Sequence, residues 1–193
     1  MLVDPNRVDL ATAVSDENAM RLALDQAHNA LLVGEVPVGA VLMRRGQVIS
    51  TGYNRPITTH DPTAHAEVVA LRHGAQLLGN YRLPECELFV TLEPCAMCAM
   101  ALMHARLKRV VFSAADPKTG VAGSVLNLFA NAKLNHHTAV LGGVLADRSA
   151  QLLREFFAQR RDAGRQRRAA LRSGGGGSLK QIPSGDAIHL DNT

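Results

Sequence analysis

The stretch "ELFVTLEPCAMCAMALMHARLKRVVFSA", residues 87–114, decides the fold. Its first six residues, ELFVTL, are a short continuous apolar run, the pattern of a strand covered on both faces. Pro94 follows and suits the first turn of a helix, where its missing N–H is no loss, and that helix carries Cys95 to about His104. KRVVFSA, residues 108–114, then returns to strand. Strand, helix and strand in so short a span predict a parallel crossover.

The flanking sequence extends the alternation. Met20, Leu24, Ala27 and Leu31 form an apolar stripe that predicts an amphipathic helix over 15–33, with Ser15 or Asp16 as N-cap and Gly34 as stop. "VPVGAVLMRRGQVISTGY", residues 36–53, reads as two strands joined in a hairpin at Arg44, Arg45 and Gly46. "NRPITTHDPT" reads as a loop, after which Thr63 or Asp61 caps a helix that runs through Val68, Leu71 and Leu78 to Gly79 and Asn80. Beyond the crossover come a glycine-rich loop, "DPKTGVAGS", a last strand in "TAVLGGVL" and a helix containing Leu152, Leu153, Phe156 and Phe157. The expected architecture is a three-layer α/β/α sandwich whose central mixed sheet joins an antiparallel hairpin to parallel crossovers. Residues 15–172 form that domain, between an N-terminal extension at 1–14 and a flexible Gly/Ser-rich tail at 173–193 whose GGGGS is equally an engineered linker or a natural tail.

Composition narrows the class. A chain of 193 residues with 47% hydrophobic and 20% charged residues buries a real core. No apolar run approaches the ~20 residues that cross a bilayer, and the N-terminus lacks a secretory h-region, so the expected location is the cytoplasm with no membrane partner. Three cysteines, Cys86, Cys95 and Cys98, are too few for a disulfide framework and fit a metal or catalytic use. From Arg154 to Arg172 seven arginines face only Glu155 and Asp162, so this segment alone accounts for the net charge of +4. A solvated helix face and a phosphate-binding surface both explain such a run.

Cys95 and Cys98 are spaced to reach one ion from a single helix turn, and a helix N-terminus favours their thiolate forms. Alone, the pair reads as a redox couple, half of a zinc site or two small core residues. His65, at the start of another helix that follows a strand, completes three ligands of the kind Zn²⁺ takes. His60, His73 and His104 are candidate fourth ligands with plainer places in a loop, on a helix surface and in the core. Glu67 lies two positions beyond His65, about 200° of helix rotation away, so the two share no face and Glu67 is not read as a ligand. A site with three protein ligands keeps its fourth position for water, and zinc lowers the pKa of that water to about 7. Glu67 is the candidate catalytic residue that moves the proton.

"HAE" at 65–67 and "PCAMC" at 94–98 match the H-x-E, P-C-x-x-C signature of zinc nucleoside deaminases. With "EVPVGAVL", "NRPITTHDPTAHAE", "NYRL", "TLEPCAMCAMALMHARLKRVVF" and "DPKTGVAGS", the chain resembles the bacterial tRNA adenosine deaminases over residues 16–168. The resemblance implies a cytidine-deaminase-like fold, one zinc per subunit on His65, Cys95 and Cys98, and a homodimer. The implied activity is that of a zinc-dependent hydrolase converting adenosine to inosine at the wobble position, 34, of a tRNA anticodon, with Glu67 as proton shuttle. It also implies that Asn54, Asp116, Lys118 and Thr119 lie against the substrate, with a turn-forming role as the alternative for Asn54 and Asp116. Arg160 and Arg161 are candidate contacts to the anticodon stem-loop phosphates. A deaminase of free bases or nucleosides shares the signature, and a non-catalytic zinc module that binds RNA needs the ligands without Glu67.

Overall fold

Strand β3, Cys86–Leu92, lies at the middle of a five-stranded sheet of order β2-β1-β3-β4-β5, completed by β1 (Gly39–Arg44), β2 (Gln47–Tyr53), β4 (Arg109–Ala114) and β5 (Ala139–Gly142). This computed structural model describes residues 10–173. The expectations for residues 1–9 and 174–193 lie outside the described residues. The chain divides into two units, Met1–Phe157 and Ala158–Thr193, and the α/β sandwich belongs to the first. Among the described residues no helix is long and apolar enough to cross a membrane.

β1 pairs antiparallel with both β2 and β3, whereas β3, β4 and β5 are parallel. The hairpin turns at Arg45 and Gly46, both at positive φ (51° and 78°), as a two-residue hairpin turn between twisted strands requires. Strand alternation divides the core. Val41, Phe89 and Val111 pack with Ala19, Met20 and Ala23 of α1 (Leu10–Leu32). Leu42, Leu88, Val90 and Val110 face Ala66 and Ala70 of α3 (Ala66–Leu78) and Ala99 and Leu102 of α4 (Ala96–His104). Truncating one such leucine to alanine costs about 2–5 kcal/mol.

Two glycines let the helices approach the sheet closely. A Cβ on Gly39 would overlap the α1 backbone at Ala23 and Ala27, and one on Gly52 would overlap the α3 backbone at Ala66 and Ala70. The second contact fixes where α3 begins, and hence where His65 stands.

Three local expectations change. α1 starts at Leu10, not at Ser15 or Asp16, and Asp16 inside the helix is buried and accepts two bonds from Arg109, at 2.7 and 2.8 Å. The loop "NRPITTHDPT" contains a one-turn helix, α2 (Pro56–Thr59), with Pro56 at its start. Pro94 precedes Cys95, which itself caps α4, so the proline stands just outside the helix. The last helix, α5 (Ala146–Ser173), buries Phe156 and leaves Phe157 exposed, the rings meeting edge to face at 5.3 Å.

Candidate metal centre

β2 and β3 are each antiparallel to β1, so they run in the same direction, and β4 runs with them. The segments leaving all three, 54–65, 93–95 and 115–124, therefore emerge at one edge of the sheet. α3 begins after the first of these and α4 after the second, which brings two helix N-termini together.

His65 and Cys95 occupy equivalent places. Each is the N-cap of its helix, extended at φ −70°, ψ 153° and φ −76°, ψ 172°, and each carbonyl accepts the N–H four residues on, from Val69 and Ala99, as the first bond of its helix. Neither side chain caps its own helix, so both are free to turn to a common point. Cys98 reaches the same point from the first turn of α4.

This placement settles the H-x-E spacing. His65 stands outside the helix, and Glu67 lies in its first turn, so the 200° rotation of a regular helix does not apply between them. Glu67 is 4% exposed and its carboxyl lies against the Cys98 thiol.

The ligand atoms of His65, Cys95 and Cys98 all fall within 4.8 Å of one another, and among the described residues this is the cluster that fits a metal ion. His65 Nδ1 is 3.7 Å from Cys95 Sγ and 3.5 Å from Cys98 Sγ. A tetrahedral zinc with Zn–S of about 2.3 Å and Zn–N of about 2.0 Å separates nitrogen from sulfur by about 3.5 Å. The residues present therefore fit zinc, by geometry and by donor type. Cys86, buried at the other end of β3, stands apart from the cluster, as do His60, His73 and His104.

Electrostatics sort the two cysteines. The hydrogen bond from Cys98, helped by His65 and the Cys98 N–H, lowers the Cys95 thiol to about 4 against the cost of its burial. Cys98 is pushed far up by that same bond and by burial. The hydrogen bond to Cys95 raises His65. Burial raises Glu67, opposed by its own backbone N–H and by His65.

The remaining candidates divide by what their polar atoms hold. Asn54 Oδ1 accepts the Ala66 N–H at 2.9 Å, fastening the start of α3. Asp116 caps its own turn, accepting from the Lys118 N–H at 2.9 Å and from the Thr119 N–H and hydroxyl at 3.3 and 2.6 Å. Lys118 and Thr119 thus ride on the Asp116 turn at the sheet edge. Arg160 and Arg161 lie in the second unit, on α5, and are exposed.

Sequence reasoning passed over two buried glutamates. Glu35, 1% exposed, accepts the Thr58 N–H and hydroxyl at 2.7 and 3.1 Å and so anchors α2. Glu93, 3% exposed, accepts N–H groups of Asp116, Ala122 and Ser124 at 3.0, 2.8 and 3.1 Å, together with the Ser124 hydroxyl. For Glu93 the available signal is a lone acid closing the apolar strand β3, where burial demands donors. A surface recess of about 310 Å³ lined by Arg45, Glu87, Phe89 and Arg109 lies at the opposite end of β3 and takes no part in the cluster.

Residues 13–114 match the model of the cytidine and deoxycytidylate deaminase zinc-binding region. A tRNA-specific adenosine deaminase of Haemophilus influenzae is 49% identical over 159 residues, covering 82% of this chain and 92% of that protein. One of Agrobacterium fabrum is 43% identical over 142 residues, covering 74% of this chain and 93% of that protein. A solved structure from work on A-to-I editing by tRNA:A34 deaminases at the wobble position of transfer RNA superposes with a TM-score of 0.69 at 42% identity, covering 70% of this chain and 99% of its own.

Proposed function

The chain belongs to the cytidine and deoxycytidylate deaminase zinc-binding family, among its tRNA-specific adenosine deaminases, and from that premise we propose that it hydrolyses adenosine to inosine at wobble position 34 of a tRNA anticodon. The observation that carries the reading is the coincidence of the His65, Cys95 and Cys98 cluster with a buried glutamate whose proton affinity is raised by burial.

His65, Cys95 and Cys98 hold one zinc per chain. Bound there, zinc supplies a Lewis acid that brings the pKa of water to about 7. Glu67 takes the proton of the water that attacks C6 of adenine and delivers it to N1. It then takes the remaining proton from the oxygen newly bonded to C6 and passes it to the amino group, which leaves as ammonia while that oxygen becomes the carbonyl, so adenosine and water become inosine and ammonia. Burial suits Glu67 to this work, since a carboxyl raised from its ordinary range is a better proton acceptor than an exposed carboxylate.

Asn54 holds the start of α3 with its Oδ1 and offers its NH₂ to the base. Asp116, Lys118 and Thr119 present a pre-formed turn to the substrate strand. Arg160 and Arg161 take anticodon phosphates, supported by the local excess of arginine over acid. An anticodon loop is single-stranded, so its base is splayed out at modest cost. The working unit is a cytoplasmic homodimer. Exposed Met97, Val125 and Leu126 (37, 50 and 57%) support an apolar contact, although Cys98, Ala99, Leu102 and Met103 of α4 are core.

One assay decides the reaction. Inosine formed in an anticodon stem-loop is quantified by mass spectrometry beside ammonia released from free adenosine, guanine and cytidine. Inosine at position 34 with little release from the small substrates is expected. The reverse pattern would establish a free-base or nucleoside deaminase instead.

A further inference from the structure

We infer that Glu93 is a positioning residue, whose buried carboxylate fastens the 115–124 loop to the metal-ligating segment and thereby sets the Asp116–Thr119 turn against the substrate strand. The inference rests on the reading above, in which that turn touches substrate.

Glu93 lies two residues before Cys95 at the end of β3. Its own N–H bonds Ala114 O at 2.8 Å, and its side chain reaches across to the loop that follows β4. Oε1 accepts the N–H groups of Ala122 and Ser124, and Oε2 accepts the Asp116 N–H and the Ser124 hydroxyl. The neighbouring backbone continues the tie, since Val121 N–H bonds Pro94 O at 3.0 Å and Cys95 forms a β-bridge with Gly120. Gly120 is glycine for this reason, because a Cβ there would overlap the Glu93 carboxylate. A continuous path thus runs from the Cys95 segment through Glu93 to the Asp116 backbone, then through the Asp116 side chain to Lys118 and Thr119.

The wiring makes Glu93→Gln a selective probe. Both donors at Oε1 are N–H groups, which demand a carbonyl oxygen. The amide NH₂ therefore falls on the Oε2 side. There the Ser124 hydroxyl can reverse and accept, whereas the Asp116 N–H cannot. Three of the four contacts survive and the one to Asp116 is lost.

Glu93→Gln should keep one zinc per chain and kcat within about threefold, while KM for the stem-loop rises about tenfold. Amide hydrogen exchange across 115–124 should quicken whether or not substrate is present. The double variant Glu93→Gln, Asp116→Ala should be no worse than the poorer single variant, because both act through one turn. Should Glu93→Gln fail to fold, Ser124→Ala, which removes only the hydroxyl, should give faster exchange and a smaller rise in KM.

An active wild type with KM and exchange unchanged in the variant overturns this inference alone. So does a fall in kcat at constant KM, or loss of zinc comparable to that in Cys95→Ser. A wild type that makes no inosine overturns the functional reading and this inference with it.

Discussion

Two glutamates flank the two helix starts of the metal centre and have opposite fates. Glu67 stands two residues after His65 and Glu93 two residues before Cys95, and both are buried, at 4% and 3% exposure. Burial pushes both carboxyls upward. At Glu93 the Ser124 hydroxyl and the N–H groups of Asp116, Ser124 and Ala122 outweigh that push and hold it below the usual carboxylate range. At Glu67 its own N–H and His65 do not, and it stays raised. A saturated carboxylate is architecture, and an unsaturated one can exchange protons.

The largest expected effect tests the second half of that statement. Glu67→Gln keeps the shape and removes the exchangeable proton, so zinc content and thermal stability should persist while turnover falls by at least ~10²–10⁴. Metal analysis beside single-turnover rates checks it. If zinc were lost with activity, Glu67 would be a ligand and the contrast between the glutamates would collapse.

Alanine substitutions sharpen the contrast in stability. Glu93→Ala leaves three N–H groups and a hydroxyl without their acceptor, and each orphaned buried group costs about 1–3 kcal/mol. A clear drop in urea midpoint is expected. Glu67→Ala removes a carboxyl that burial already disfavours, so its midpoint should fall far less or rise. Equal losses in the two variants would show that Glu67 also has a structural duty.

These glutamates also mark what the sequence displays and what it conceals. The hairpin at Arg45 and Gly46, the strand runs of β3 and β4, the stop at Gly79 and the spacing of Cys95 and Cys98 are local patterns, so periodicity and turn chemistry reveal them. Asp16 misleads for a nonlocal reason, since its partner Arg109 lies 93 positions away and turns a plausible N-cap into a buried ion pair. Glu93 and Glu35 hide in the same way, because their donors come from loops 23 or more positions distant. The H-x-E spacing looks awkward only while His65 is taken as helical, and its extended backbone as N-cap resolves the geometry.

Among the cysteines the contrast is between core and site. Cys86 is 1% exposed at the start of β3, and its thiol is raised by burial, with Arg44 pulling it back. Cys86→Ser should keep stoichiometric zinc and cost about 1–3 kcal/mol, the penalty of a buried hydroxyl. Cys95→Ser should lose the metal, and equal zinc loss in both variants would break the assigned ligand set.

The smallest effect concerns binding without chemistry, and the arginines of the two units frame it. In the first unit Arg44 and Arg45 meet Glu85, Arg72 meets Asp61, and Arg109 meets Asp16 and Glu87. Along α5 the segment from Arg154 to Arg172 carries seven arginines against two acids, Glu155 and Asp162, and Arg165 meets Asp162. Such an excess suits phosphate. Binding of single-stranded RNA weakens with salt at a log–log slope of about −0.7 per phosphate neutralised, so replacing Arg160 and Arg161 by alanine should flatten the slope by about 1.4. KM for the stem-loop should rise while zinc content and kcat largely persist, because Glu67 and the ligands are untouched. Removing residues 174–193, whose sole cation is Lys180, should leave the slope as it was. A slope unchanged in the double variant would reduce the α5 arginines to a solvated face, and the chemistry at Glu67 would then need another source of affinity for its RNA.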